Sequence, residues 1–163
     1  MLRWAHADPN ELFIGVDANA AGMRRSAQRA RDIPNAAFVV AAVESLPDDL
    51  TGVADRVSVQ FPWGSLLRGI LSGEGPVLAN LARIAAPGAT LTVLWSITDR
   101  DRGAIGTGVP ARPSEDRFGA AGLEVCELRP ASASDLGSTG STWAKRLGAG
   151  VDRPVALLRA VRR

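Results

Sequence analysis

The chain has 163 residues, of which 46% are hydrophobic and 22% charged, and this is the size and composition of one globular domain with a sizeable core. No apolar run reaches 18 residues, so we expect no membrane span. The first residues lack the apolar stretch of a signal peptide, and a single cysteine excludes an intramolecular disulfide. We therefore expect a cytoplasmic protein. The net charge is only +2, yet 18 of the 19 basic residues are arginine, whose planar guanidinium suits nucleic acid. A GC-rich genome gives the same bias, so charge alone does not identify a partner.

The predicted elements alternate between strand and helix. Apolar, β-favouring runs predict strands at 12–17, 37–41, 55–61 and 90–95, and the third of these stops at Pro62. Helical spacing follows at 18–31, 65–71 and 76–85, and Pro87-Gly88 predicts a turn before the fourth strand. After a loop at 100–113, Ser114 predicts the N-cap of a helix over 114–121, and two last strands follow at 123–129 and 155–161. This order indicates an α/β fold with a Rossmann-like, doubly wound sheet that ends in an antiparallel hairpin, as in class I S-adenosyl-L-methionine (SAM) methyltransferases.

Three polar or turn positions follow the first two strands. Asp17 closes the first strand, where an acid of a Rossmann-like sheet accepts hydrogen bonds from a ribose diol. The alternative is that Asp17 caps the helix that begins near Ala20. Ala42 and Glu44 follow the second strand, at the edge where such sheets bind ligands, and they predict contacts to the adenine of a cofactor or else a solvated loop.

The segment Phe61-Pro62-Trp63-Gly64 places a rigid turn between two aromatic residues directly after a strand. A tryptophan held at that point offers a stacking face for an extruded base. The alternative is a core tryptophan that covers the end of the sheet.

A second tryptophan, Trp143, follows the hydroxyl side chains of Ser141 and Thr142. With Lys145 and Arg146 close behind it, this segment suits base stacking and phosphate binding. The alternative is a short amphipathic helix with Trp143 packed inward.

Four segments with these residues occur in one order: FIGVD at 13–17, ESLP at 44–47, PWGSLLRG at 62–69 and STWAKRL at 141–147. Together they closely resemble the Kam family of aminoglycoside-resistance methyltransferases, from about residue 12 to the C-terminus. Members of that family transfer a methyl group from SAM to N1 of adenine 1408 in the decoding site of 16S rRNA. The resemblance implies a SAM-dependent methyltransferase that confers aminoglycoside resistance and whose partner is the 30S subunit, at helix 44 of its 16S rRNA.

The resemblance also implies roles for the candidate residues around the cofactor. Asp17 would bind the SAM ribose, and Ala42 with Glu44 would border its adenine. Ser141 or Thr142 would reach the methionine end of SAM or support the neighbouring tryptophan.

On the RNA side, the resemblance implies that Trp63 and Trp143 sandwich the flipped target adenine. The residues that would contact rRNA phosphates are basic, and they are Arg24, Arg25, Arg68, Lys145 and Arg146. Alternative functions are a non-catalytic RNA-binding remnant of the family and a class I methyltransferase for a small molecule.

The proposed reaction needs few chemical groups. An unpaired adenine N1 has a free lone pair and needs no general base, so positioning can supply most of the catalysis, up to about 7–11 kcal/mol. A carbonyl near Phe61 and Pro62 would stabilise the positive charge that grows on the base. The single histidine, His6, precedes the sheet, and Cys126 in a late strand is expected to be an inert core thiol. One histidine and one cysteine cannot build a metal site, so no metal is expected.

The family begins with a strand that ends in an acid and with a Gly-x-Gly turn, and nothing upstream of Asp17 matches them. Residues 1–10 resemble the end of the helix that follows this turn. We therefore expect residues 1–163 to form a single methyltransferase domain that lacks its first strand and glycine-rich loop. Three explanations remain: a start assigned too late, a gap filled by direct strand pairing or by a second copy in a homodimer, or a degenerate relative that binds SAM poorly.

Overall fold

The structure is a computed structural model that describes residues 1–97, 108, 110–139 and 154–163. It divides into two compact units, Met1–Pro47 and Asp48–Arg163. Each unit combines helices with a β-sheet, as the sequence predicts for a mixed α/β fold. Within the described ranges, no helix is both long and apolar enough to cross a membrane.

The first unit is a two-stranded parallel sheet with helices. Its elements are α1 (Leu2–Ala7), β1 (Phe13–Asp17), α2 (Ala20–Arg29), β2 (Ala36–Val40) and a 3-10 turn (Val43–Ser45). β1 pairs with β2 in a register that sets Phe13 beside Ala36 and Asp17 beside Val40. The Asn35 side-chain amide lies 2.9–3.0 Å from the carbonyl oxygens of Ala5, Asp8 and Glu11, so it ties the turn before β2 to the segment before β1.

The second unit contains a four-stranded sheet in the order β3-β4-β6-β5. Its elements are a 3-10 turn (Asp48–Leu50), β3 (Ala54–Gln60), α3 (Gly64–Ser72), α4 (Val77–Ile84), β4 (Ala85–Trp95), α5 (Glu115–Ala120), β5 (Leu123–Pro130), α6 (Ala133–Thr139) and β6 (Ala156–Arg162). β3 and β4 are parallel, whereas β6 pairs antiparallel with both β4 and β5. The two last strands therefore form the antiparallel arrangement that the sequence predicts.

Apolar side chains at helical and strand spacing build the core of the second unit. The large side chains that are fully buried come from α3, from α5 and from three strands of the sheet: Leu67, Ile70, Leu71, Leu91, Val93, Phe118, Leu123, Leu157 and Leu158. Burial of each such side chain stabilises the fold by about 1.5–3 kcal/mol before the entropy cost is counted.

One prediction for this unit needs correction. The turn expected at Pro87-Gly88 lies inside β4, where the register jumps from Ala54–Ala85 to Arg56–Thr90, so the turn residues form an irregularity that the strand passes through. The prediction that Ser114 is the N-cap of α5 is confirmed, and its side chain makes no capping hydrogen bond.

A polar network fixes the start of α6 on the sheet. The Asp135 carboxylate, whose side chain is 9% exposed, accepts hydrogen bonds from Arg129 Nη1 at 2.7 Å and from Arg159 Nη2 at 3.4 Å. It also accepts from the backbone N of Ser132 at 2.7 Å and from its Oγ at 2.6 Å, while Ser132 Oγ lies 3.2 Å from Asp135 N. This reciprocal pattern is a capping box, which satisfies backbone donors at the helix N-terminus. Because Arg129 belongs to β5 and Arg159 to β6, one carboxylate joins the helix to two strands.

The same contacts set the charge state of Asp135. Hydrogen bonds from Arg129 and then from Ser132 hold the pKa of this carboxyl well below its ordinary value of 3.8, and the same pairing raises the pKa of Arg129. A lowered carboxyl pKa stabilises the folded state at pH values above the ordinary pKa, and the stabilisation is lost as the pH falls below it.

We predict that Asp135→Asn lowers the Tm at pH 7 by about 2–5 °C, since charge-assisted hydrogen bonds are lost from a nearly buried group. The Tm difference from the unsubstituted chain should shrink as the pH falls below about 4, where the carboxylate begins to be protonated in the unfolded chain. Thermal unfolding followed by circular dichroism between pH 3 and pH 8 measures both effects.

Glu124→Gln is the matched control. Glu124 pairs with Arg163 at 3.1 Å, but both side chains are more than half exposed. Exposed ion pairs contribute little, so this variant should leave the Tm unchanged at pH 7. Equal Tm losses for the two variants would show that the Asp135 network does not anchor α6.

Candidate active site

The carboxyl edge of the two-stranded sheet brings together three of the predicted cofactor residues. Asp17 is the last residue of β1, and its backbone oxygen accepts a hydrogen bond from Ala41 N, just after β2, at 3.2 Å. The chain then turns through a 3-10 helix that Ala42 caps and that contains Glu44. Parallel pairing thus places Asp17, Ala42 and Glu44 at one edge of this unit.

The Asp17 carboxylate is exposed and only partly committed to local structure. Its Oδ1 accepts from Asn19 N at 2.8 Å, whereas the N-cap of α2 is Asn19, whose Oδ1 accepts from Gly22 N at 3.0 Å. The alternative interpretation of Asp17 as the helix cap is therefore wrong. A carboxylate has about four lone-pair sites, so Asp17 retains acceptor capacity for a diol.

A sharp change of backbone direction ends β3. Phe61 has φ +52°, in the left-handed region that a bulky side chain rarely adopts, and Gly64 has φ +60°. The Phe61 amide still donates to Leu94 O at 2.7 Å, so the change of direction occurs at a residue that is hydrogen-bonded to β4. Trp63 then has extended geometry and occupies the N-cap position of α3.

Trp63 is 78% exposed at this point. In a regular strand its side chain would face the same side as that of Phe61, because residues i and i+2 share a face. The backbone at Phe61 breaks that alternation, and the indole is left in solvent at the carboxyl end of β3. The alternative interpretation of Trp63 as a core residue is therefore wrong, and a free stacking face is available.

The sequence predicts a catalytic role for a carbonyl near Phe61 and Pro62, and the side chains of these two residues lie in the core. The Phe61 ring is 6% exposed and packs in a cluster with Leu94, Val155 and Leu157, and Pro62 is also buried. The phenyl ring is thus a core group that holds the turn. Any contribution of Phe61 to the reaction has to come from its backbone.

The remaining predicted site residues fall into two groups. Arg24 and Arg25 on α2 and Arg68 on α3 are exposed. The other group lies outside the described residues, and it comprises Ser141, Thr142, Trp143, Lys145 and Arg146.

Cys126 departs from its prediction as a core thiol. It is exposed, and it lies at a bulge of β5, where Val125 pairs with Ala160 and Glu127 with the adjacent Arg159. In the ranges that the structure describes, no three His, Cys, Asp or Glu side chains are grouped as metal ligands.

Sequence reasoning missed the network around Asp135. A local signal was present, since Ser132-x-x-Asp135 has the spacing of a capping box. The predicted elements include no helix between the last two strands, where the structure has α6. The arginine partners Arg129 and Arg159 were not predictable in that way, because their approach depends on the register of β5 and β6.

Comparisons with known proteins agree with this architecture. The family model described as "NpmA: 16S rRNA (adenine(1408)-N(1))-methyltransferase" matches residues 1–162. A 16S rRNA (adenine(1408)-N(1))-methyltransferase of Streptoalloteichus hindustanus is 31% identical over 163 residues, which covers 91% of this chain and 75% of that protein.

Solved structures are similar over nearly the whole chain. A crystal structure of a mutant 16S rRNA (adenine(1408)-N(1))-methyltransferase from Catenulisporales acidiphilia with the cosubstrate SAM superposes with a TM-score of 0.85 and 35% identity, covering 98% of this chain and 79% of that one. The antibiotic-resistance methyltransferase Kmr gives a TM-score of 0.79 and 32% identity, covering 98% and 79%. On the family match and the identity to its relatives, the chain belongs to the family of NpmA-type 16S rRNA (adenine(1408)-N(1))-methyltransferases.

Proposed function

We propose that this protein transfers a methyl group from SAM to N1 of adenine 1408 in the 16S rRNA of the 30S subunit and thereby confers aminoglycoside resistance. The structural observation that carries the proposal is the exposed Trp63 at the carboxyl end of β3, where open α/β sheets bind their ligands. The names of the relatives in this family support the same target. The target lies on the ribosome, so the protein acts in the cytoplasm, at helix 44.

The chemistry fits the few reactive groups of the chain. When bound, SAM supplies an electrophilic methyl group on a sulfonium. The lone pair of an unpaired adenine N1 can attack it without a general base, so the task of the protein is to extrude, stack and orient the base. Trp63 offers one stacking face, and a second from Trp143 would complete a sandwich, each worth about 1–3 kcal/mol per base. The backbone carbonyls of Phe61 and Pro62 are the groups that would stabilise the charge developing on the ring.

The first unit has the groups that SAM requires at its nucleoside end. Asp17 has acceptor capacity for the ribose diol, and the backbone of Ala42 with Glu44 borders the same edge. Ser141 or Thr142 would serve the methionine end. The family model runs through both compact units, which supports one Rossmann-like class I methyltransferase domain over residues 1–163.

We propose that arginine and lysine side chains bind the 30S subunit through contacts with rRNA phosphates. Arg24, Arg25 and Arg68 are exposed and positively charged, as phosphate contacts require. Lys145 and Arg146 complete the proposed set. The observed affinity should therefore fall as the salt concentration rises, because phosphate contacts release counterions.

We predict that Trp63→Ala lowers the rate of methylation of 30S subunits by about 10–100-fold, because one stacking face for the base is lost. SAM affinity should stay within about twofold, since the indole does not serve the cofactor. Primer extension on the 16S rRNA measures the reaction, because a methyl group on N1 blocks Watson–Crick pairing and stops reverse transcription.

Val53→Ala is the control for Trp63→Ala. Val53 is also an exposed apolar residue, at 53%, but it lies before β3, away from the carboxyl end of that strand. Its truncation should leave methylation unchanged. A Trp63→Ala protein that loses SAM binding and methylation together would make the indole a structural group, and 30S binding without methyl transfer by the unsubstituted chain would favour a non-catalytic RNA-binding protein.

We predict that Asp17→Ala weakens SAM binding by about 10–100-fold, which corresponds to the loss of hydrogen bonds to a charged acceptor. The SAM affinity of Asp17→Asn should lie between those of Asp17→Ala and the unsubstituted chain, since an amide oxygen accepts a hydrogen bond but carries no charge. Isothermal titration with SAM measures the dissociation constants.

Asp32→Ala is the matched control for Asp17→Ala, because it removes an exposed acid from the same unit but away from the carboxyl edge. It should bind SAM like the unsubstituted chain. If Asp17→Ala and Asp32→Ala bind SAM equally well, the assignment of Asp17 to the ribose is wrong.

A further inference from the structure

Helix α6 packs against the apolar cluster that contains Phe61, the residue that directs the chain toward Trp63. Its Leu136 side chain lies against the cluster of Phe61, Leu94, Val155 and Leu157, and Ala131 just before the helix joins the same cluster. α6 is therefore connected to the turn at the end of β3, because one of its side chains packs against the cluster that holds the ring of Phe61.

The position of Leu136 is fixed by its neighbour in sequence. Asp135 is held by Arg129 of β5 and Arg159 of β6, and by the capping hydrogen bonds with Ser132. A helix joined to two strands at its first turn cannot easily slide or rotate. The next residue, Leu136, is thus brought to the cluster with little freedom, and its amide donates to Ser132 O at 3.2 Å.

The backbone of Phe61 needs such support. A non-glycine residue with φ +52° is in a sparsely populated conformation, which persists only where surrounding contacts impose it. Two restraints are visible, namely the hydrogen bond from Phe61 N to Leu94 O at 2.7 Å and the burial of the phenyl ring. If the ring loses its packing, the backbone can relax toward the ordinary β region, and the direction of Trp63 changes with it.

We propose that Leu136 is a positioning residue for Trp63, that Asp135 anchors it, and that the two act through the ring of Phe61. Neither residue touches the substrate. Their effect is to keep the indole in the orientation that the stacked base requires. This inference rests on the proposed function for its catalytic readout, but its conformational readout is independent of any methyl transfer.

The test uses Leu136→Ala in the full chain, with Val125→Ala as a matched control. Both residues are half-buried and aliphatic, but Val125 lies on β5 outside the Phe61 cluster. Leu136→Met is the conservative variant, because it keeps the volume of the side chain. Measurements are made well below the lowest Tm of the set, and the stoichiometry of SAM binding reports the folded fraction of each protein.

The first readout is the motion of the Trp63 indole. Its contribution to time-resolved fluorescence anisotropy is obtained by subtracting, for each variant, the signal of the same protein with Trp63→Phe. We expect a larger amplitude of sub-nanosecond rotation in Leu136→Ala than in Val125→Ala, and an amplitude like that of the unsubstituted chain in Leu136→Met.

The second readout is the kinetics of 30S methylation. We expect kcat to fall by about tenfold in Leu136→Ala, which is the effect of one lost stabilising contact in the transition state, with KM for 30S and SAM affinity within about twofold. Val125→Ala should keep the full kcat, and Leu136→Met should recover most of it. If Leu136 has only a structural role, Leu136→Ala and Val125→Ala should both lower the Tm, and neither should lower kcat at unchanged KM.

Identical Trp63 anisotropy in Leu136→Ala and Val125→Ala overturns the positioning role, whatever the methylation rates are. Where the unsubstituted chain transfers the methyl group, equal kcat values for these two variants overturn it as well. A larger rotation in Leu136→Ala together with an unsubstituted chain that transfers no methyl group upholds the positioning of Trp63 and overturns the proposed function instead.

Discussion

The left-handed backbone at Phe61 is the constraint on which the candidate site depends. Phe61 is 6% exposed, whereas Trp63, two positions further along the chain, is 78% exposed. Continued strand geometry would have placed both side chains on one face, so that both would be buried or both exposed. The unfavourable φ is maintained by the hydrogen bond to Leu94 and by the packing of the ring, and the core of the second unit thus determines where the stacking surface lies.

Much of the fold could be predicted because its signals are local. Apolar, β-favouring runs located β1, β2, β3, β5 and β6 to within a residue or two. The end of β3 was also predicted correctly, since Pro62 cannot donate to a sheet ladder. At Pro87-Gly88 the sequence predicts a turn that precedes the strand. These residues instead lie inside β4, at the point where its register against β3 shifts.

The environment of the site side chains was less predictable, for a physical reason. Whether Trp63 is buried or exposed depends on one φ angle, at a phenylalanine that carries no glycine-like signal for it. Cys126 lies on the same exposed face of β5 as Glu124, and the bulge beside it depends on pairing with a strand more than thirty residues away. For Asp17 the sequence allowed two roles, because both Asp17 and Asn19 can cap a helix. The chain uses Asn19 as the cap, and the Asp17 carboxylate accepts from Asn19 N and keeps further acceptor capacity.

Separation of Phe61 from Trp63 has a consequence for how this site can evolve. The unfavourable backbone conformation of the turn is at Phe61 and is stabilised by the core residues around its ring. Trp63 is largely exposed, so it contributes little to the packing of the core. Substitution at position 63 can therefore alter what the protein recognises without disturbing its stability, whereas substitution two residues earlier is constrained by the core. Selection for a new target and selection for a folded protein act on adjacent but different positions.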